Sequence, residues 1–146
     1  MAQDAIDLLD ADHQRVETLF RDYLSAGSDA AAKADLAQII CMELTLHAAL
    51  EEELFYPAFR EATKDEKLVQ EARDEHDQAK QLIAQAESTD NLDALVAELQ
   101  RTVQHHVMEE RLQIFPKARS AGLDLAALAT RLEARKAELV ASLQEA

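Results

Sequence analysis

Two segments of the chain carry the same polar pair at the same helical spacing. The first runs His47-Ala48-Ala49-Leu50-Glu51 and reaches Pro57 ten residues after its histidine. The second runs His106-Val107-Met108-Glu109-Glu110 and reaches Pro116, again ten residues on. Each follows a lone histidine with an acid before it, Asp12-His13 and then Glu75-His76. On an α-helix, residues i and i+4 lie one above the other on one face, so a histidine and a carboxylate so placed can grip one metal ion or two adjacent ones. A chain that does this twice offers a dinuclear site. It must then fold so that the helices carrying these residues face one another.

Composition agrees with an all-helical answer. The 146 residues suit one domain with a sizeable core. Only two glycines and two prolines are available for turns, and strong helix formers dominate. Apolar residues recur at helical spacing in five segments. The first is expected from about 4 to 25, with Ile6, Leu9, Val16, Phe20 and Leu24 inward, and ends at Gly27-Ser28-Asp29. The second runs from about 30 to 60, with Leu36, Ile40, Leu44, Leu54 and Ala58 inward. Pro57 must kink or restart it, because proline lacks an N–H and its ring clashes with the preceding turn. The third runs from about 65 to 87 with Val69, Ala72, Ala79, Ile83 and Ala86 inward, and Ser88-Thr89-Asp90-Asn91 forms a turn and the next N-cap. The fourth runs from about 92 to 118 with Leu95, Leu99, Val103 and Ile114 inward. The fifth runs from about 124 to 145 with Leu125, Leu128, Leu132, Leu139 and Leu143. Short connections predict an up-down-up-down four-helix bundle over residues 1–120. Residues 121–146 form an additional C-terminal helix, packed on the bundle or at an oligomer contact.

Six polar residues fall inside these apolar stripes: His13, His47, Glu51, His76, His106 and Glu110. Burying an ionised carboxylate without a partner is very costly, and a pair of cations accounts for all six together. Each residue alone also has an ordinary reading, as a satisfied core histidine or a half-exposed glutamate. The register decides: each of the four helices contributes one histidine at one level. His105 competes with His106, but His105 shares its row with Glu98, Thr102 and Glu109, whereas His106 shares its row with Leu99, Val103 and Glu110. Only His106 stands ten residues before Pro116. Glu17, Glu52, Glu53 and Glu109 are expected to be solvated, or to orient a ligand's ring N–H. Tyr23 and Tyr56 are expected to pack in the core, with a ligand or hydrogen-bond role as the alternative.

The net charge of −14 disfavours nucleic acid and anionic membrane as partners. Cys41, the single cysteine, permits no intrachain disulfide and suits a reducing compartment. No apolar run approaches the roughly 20 residues that span a bilayer, and the acidic, polar start is unlike a secretory signal. The expected location is the cytoplasm.

The combined motifs resemble the hemerythrin-like HHE cation-binding domain over about residues 5–119. His13, the segment from His47 to Pro57, Glu75-His76-Asp77 and the segment from His105 to Pro116 carry the resemblance. It implies a four-helix bundle holding two iron ions, with His13, His47, His76 and His106 as terminal ligands and Glu51 and Glu110 as bridges. Oxygen-carrying hemerythrins have a fifth histidine one turn before the third-helix one; here that position is Ala72. With octahedral iron and a bridging oxo or hydroxo group, the remaining donors leave one open position on each ion. This moves the expectation away from reversible oxygen carriage. Ferritin-like bundles place Glu-x-x-His on two helices, and no histidine here has a glutamate at that offset. Imidazole and carboxylate also serve zinc and manganese.

Three functions follow as expectations. The first is a di-iron protein that binds or senses a small ligand such as dioxygen, peroxide or nitric oxide. The second is an enzyme using that site to decompose peroxide or reduce nitric oxide. The third is a structural or iron-buffering bundle that recruits a partner protein, or a second copy, through its C-terminal helix.

Overall fold

Aspartate and asparagine side chains start five of the helices. Asp4, Asp29, Asp65, Asn91 and Asp124 each accept a hydrogen bond from the backbone N–H three residues on. These are N-caps that satisfy donors a helix start leaves free. The computed structural model describes residues 3–145, and among them all regular structure is helical. The elements are α1 (Ala5–Ser25), α2 (Ala30–Leu50), α3 (Tyr56–Thr63), α4 (Glu66–Gln85), α5 (Leu92–Glu109), α6 (Phe115–Ser120) and α7 (Leu125–Glu145). Gly27 and Gly122, at φ +63° and +75°, make the left-handed turns after α1 and α6.

The second and fourth helices of the bundle are continuous but not uniform. A single π-helical turn, Glu51–Phe55, joins α2 to α3, and a second, Glu110–Ile114, joins α5 to α6. In each, the glutamate carbonyl accepts from the N–H five residues on, Tyr56 in one and Phe115 in the other. Proline follows one residue later in both. The expected break at Pro57 is therefore a widening of the helix rather than a kink. A wider turn moves the preceding carbonyls away from the proline ring, which an α-helical turn would force together.

This widening corrects the inward faces downstream. The extra residue rotates the following helix by about 100°. Phe55, Tyr56 and Phe59 are fully buried, whereas Leu54 and Ala58, expected inward, are partly buried. Leu24 and Leu143 are also corrected, being 67% and 50% exposed. Both lie near helix ends, and beside Leu24 it is Tyr23 that turns inward, its hydroxyl donating to Asp93 at 2.6 Å.

Buried apolar residues form two clusters. One gathers Leu9, Leu50, Phe55, Phe59, Ile114 and Phe115, with Leu128 and Leu132 of α7 packed into it. The other gathers Val16, Phe20, Ile40, Val96, Leu99 and Val103. Along each helix of the bundle, the buried histidine falls between residues of the first cluster and residues of the second. A polar layer thus divides the core. α7 lies outside the four-helix arrangement and packs against α1, α2 and the first π turn. No described helix is long and apolar enough to cross a membrane.

Candidate metal centre

All six residues expected in the layer meet there. His13, His47, His76 and His106 are each at most 7% exposed, and Glu51 and Glu110 are fully buried. His13 Nε2 lies 2.9 Å from Glu110 Oε1, and His106 Nε2 lies 3.1 Å from that same oxygen. Glu51 Oε1 is 3.0 Å from His47 Nε2, 3.1 Å from His76 Nε2 and 3.5 Å from His106 Nε2. His105 stays outside, with its side chain 75% exposed.

The second ring nitrogen of every buried histidine meets a carboxylate. His13 Nδ1 donates to Asp10 at 3.1 Å, His47 Nδ1 to Asp12 at 3.0 Å, His76 Nδ1 to Glu52 at 2.8 Å and His106 Nδ1 to Glu75 at 2.8 Å. A carboxylate can only accept, so the proton sits on Nδ1 and each Nε2 points to the centre. Of these four acids, only Glu52 is among those the sequence offers as solvated or as orienting a ring N–H. Asp12 and Glu75 precede the lone histidines yet serve His47 and His106, each on the helix next in the bundle, so local spacing carries no sign of the pairing. Asp10 stands three residues before His13, an i,i+3 spacing that is legible in retrospect. Of the other acids weighed, Glu17 pairs with Arg111 and Glu53 with Arg135 at the surface. Glu109 lies beside Glu75 and Glu71, whose contacts push its carboxyl up to about 8.

Tyr56 corrects the expectation of plain core packing. Its hydroxyl sits among the layer residues, 3.2 Å from Glu51 Oε1, 3.1 Å from Glu110 Oε2, and 3.3 Å from both His76 Nε2 and His106 Nε2. Ala72, where a further histidine is missing, brings no donor; Tyr56 brings one from the adjacent helix. In the repeat, the residue that matches Tyr56 is Phe115, whose ring stacks on His13 at 5.8 Å. The two halves of the layer are thus chemically unlike. His76 and His106 face a phenol, whereas His13 faces an apolar ring.

Protein atoms alone do not satisfy this layer. His13 Nε2, His47 Nε2, Glu51 Oε2 and Glu110 Oε1 are buried without an aligned hydrogen bond, although His13 Nε2 lies 2.9 Å from Glu110 Oε1 and His47 Nε2 3.0 Å from the other Glu51 oxygen. One tyrosine hydrogen cannot serve two carboxylates at once. Orphaned buried polar atoms are rare and call for a partner. A cation fits, because adjacent donors on bonds of about 2.1 Å stand about 3 Å apart. Two buried donor sets lie within reach of one ion each: His13, His47, Glu51 and Glu110, and then Glu51, His76 and His106.

The electrostatics carry the same message. Burial opposes charge on His47, but the Glu51 carboxylate and the hydrogen bond to Asp12 overcome it and push the ring up to about 10. His106 is likewise held well above its ordinary value, against burial, chiefly by Glu110. Glu51 is held well below the carboxylate range despite complete burial, first by His47. Protons on these imidazoles stand in for a metal's positive charge, and metal binding must release them.

A cavity of about 40 Å³ adjoins all four histidines, walled by Val16, Leu44, Ala48, Ala79, Ile83 and Val103. One water needs roughly 10–15 Å³ by this measure, so the space suits a molecule of two or three heavy atoms.

The family model for the hemerythrin HHE cation binding domain matches residues 4–118. Among solved structures, the chain is similar to a hemerythrin HHE cation binding domain-containing protein from Mycobacterium kansasii. The two are 22% identical, with a TM-score of 0.82 over 97% of this chain and 90% of that one. None of the curated proteins matches. With its bundle, its buried histidine and glutamate layer and this match, the chain belongs to the hemerythrin HHE cation-binding domain family.

Proposed function

We propose that the layer holds two iron ions and binds a small neutral ligand, such as dioxygen, peroxide or nitric oxide, from the adjoining cavity. The observation that carries this reading is the sharing of carboxylates. Glu51 Oε1 lies within 3.1 Å of imidazoles from both donor sets, and Glu110 Oε1 does the same, through His13 and His106. His13 and His47 would hold one ion, His76 and His106 the other, with Glu51 and Glu110 common to both. Bound there, iron supplies an electron-accepting and electron-donating centre for the ligand.

The chain's own residues set the conditions. Asp10, Asp12, Glu52 and Glu75 orient the four rings and strengthen them as donors. Valine, leucine, isoleucine and alanine walls make the cavity largely apolar and favour a small neutral ligand over an anion. Tyr56 adds an O–H group beside His76 and His106, but neither it nor Phe115 lines the cavity, so the cavity face of the layer is left to the ligand. Anaerobic titration of iron(II) protein with nitric oxide tests this. Binding that saturates at or below one ligand per iron supports it. No spectral change in fully loaded protein sinks it.

A peroxide-consuming enzyme is the second reading, favoured by the Tyr56 hydroxyl, an O–H donor built into the layer. Steady-state peroxide consumption by iron-loaded protein separates the two. Equal rates for the native chain and Tyr56→Phe would remove Tyr56 from any such role. Equal rates for Glu51→Ala would remove the site itself.

A further inference from the structure

We infer that α7, which lies beyond the family match, is part of the metal centre, with Lys136 as a positioning residue that fixes the His47 ring through Asp12. The inference rests on the metal site proposed above.

Asp12 is a buried acid, 8% exposed, that accepts from three donors. Its Oδ2 takes the His47 Nδ1 proton at 3.0 Å. Its Oδ1 takes Arg15 at 3.1 Å and Lys136 Nζ at 3.3 Å. Arg15 is divided, because its other arm donates to Glu43 at 3.0 Å. Lys136, among the described residues, has Asp12 as its only ion-pair partner. The undivided cation on this carboxylate therefore comes from α7.

Helix geometry explains how a residue 124 positions away reaches the site. Leu128 and Leu132 are buried in the core cluster beneath the layer. Lys136 continues that row one turn on, so it lies on the face toward the bundle, with its side chain half-buried. Its neighbour Arg135 donates to Glu53 in the first π turn at 3.1 Å. Two consecutive cations of α7 thus hold α1, which carries the Asp12 partner of His47, and the π turn, which carries Glu51. With Oδ1 held, Oδ2 keeps its aim at the ring. A ring held at Nδ1 keeps its Nε2 lone pair on the metal position, and outer partners of this kind govern metal affinity.

Iron(II) release into a chromogenic chelator, measured anaerobically on loaded full-length protein, tests the relay. Lys136→Met keeps the aliphatic stem and removes the charge. It should speed the loss of one of the two ions by about threefold to tenfold, below the 10- to 100-fold weakening expected for Asp12→Asn. Lys136→Arg should restore the native rate. Because Lys136 acts through Asp12, adding Lys136→Met to Asp12→Asn should change nothing further, whereas a merely structural role would add. A native rate in Lys136→Met, or full additivity in the double variant, overturns the inference. Should Lys136→Met not fold by circular dichroism, Lys136→Gln carries the same expectations. A native chain that takes up no iron would instead refute the metal site itself.

Discussion

His105 and His106 are sequence neighbours with opposite surroundings, and the difference is one helical step of about 100°. His106 is 7% exposed and touches Glu110, while the His105 side chain is 75% exposed. His106→Ala is therefore expected to lower bound iron to at most about one ion per chain, and His105→Ala to leave it unchanged, as metal analysis after gel filtration would show. The opposite ranking would move the site to the surface. Tyr56→Phe removes the hydroxyl alone and leaves two buried carboxylates with one fewer donor. A cost of about 1–3 kcal/mol is expected in the metal-free chain, read from chemical denaturation, and a smaller cost once metal neutralises those carboxylates. The choice of His106 was legible because each candidate keeps its neighbours' polarity along a row. The role of Tyr56 was not, because an aromatic on an apolar face reads as core until the hydroxyl's surroundings are known.

At the scale of elements, the π turns decide which residues follow the ligands inward. Each begins at a buried glutamate, Glu51 or Glu110, and ends just before a proline by one residue. Deleting Gln113, an exposed residue of the second turn, should close it to α-helical geometry, which keeps Phe115 and Ala118 inward but forces the Pro116 ring against the preceding turn. The expected loss is about 3 kcal/mol, the cost of a proline inside an α-helix, while Gln113→Ala should stay within about 0.5 kcal/mol of the native chain. Similar denaturation midpoints for both would show that the wide turn is not needed. Five helices and most inward faces were legible from periodicity, because caps, glycines and apolar rows agree. The register after Glu51 was not. A constant 3.6-residue period puts Leu54 and Ala58 inward, and one extra residue hands those places to Phe55 and Phe59. The doubled spacing to Pro57 and Pro116 was the visible trace of the turns.

Over the whole molecule, the layer sets a cost that pH and metal share. His47 has its ordinary value near 6.5 when unfolded and is pushed up to about 10 when folded. A group whose pKa rises on folding stabilises the fold fully below the unfolded value, and that contribution is lost as pH climbs through the folded value. Protein stripped by chelation should therefore melt at progressively lower temperature from pH 6.5 towards 10. Loaded protein should lose less, since metal then occupies the ring's lone pair. On the acid side, Glu52 is held down to about 2, first by its hydrogen bond from His76. That contribution disappears as pH falls from 4.5 towards 2. A flat melting profile between pH 6.5 and 10 in stripped protein would contradict the electrostatic reading of the layer.

The same cost makes metal stoichiometry the most direct test of the central claim. The chain is stripped, loaded anaerobically with iron(II), passed through gel filtration and analysed for metal against protein concentration. The account predicts two irons per chain, falling to one or fewer in Glu51→Ala, whose carboxylate meets imidazoles of both donor sets. A folded native chain that retains one iron or none would contradict it.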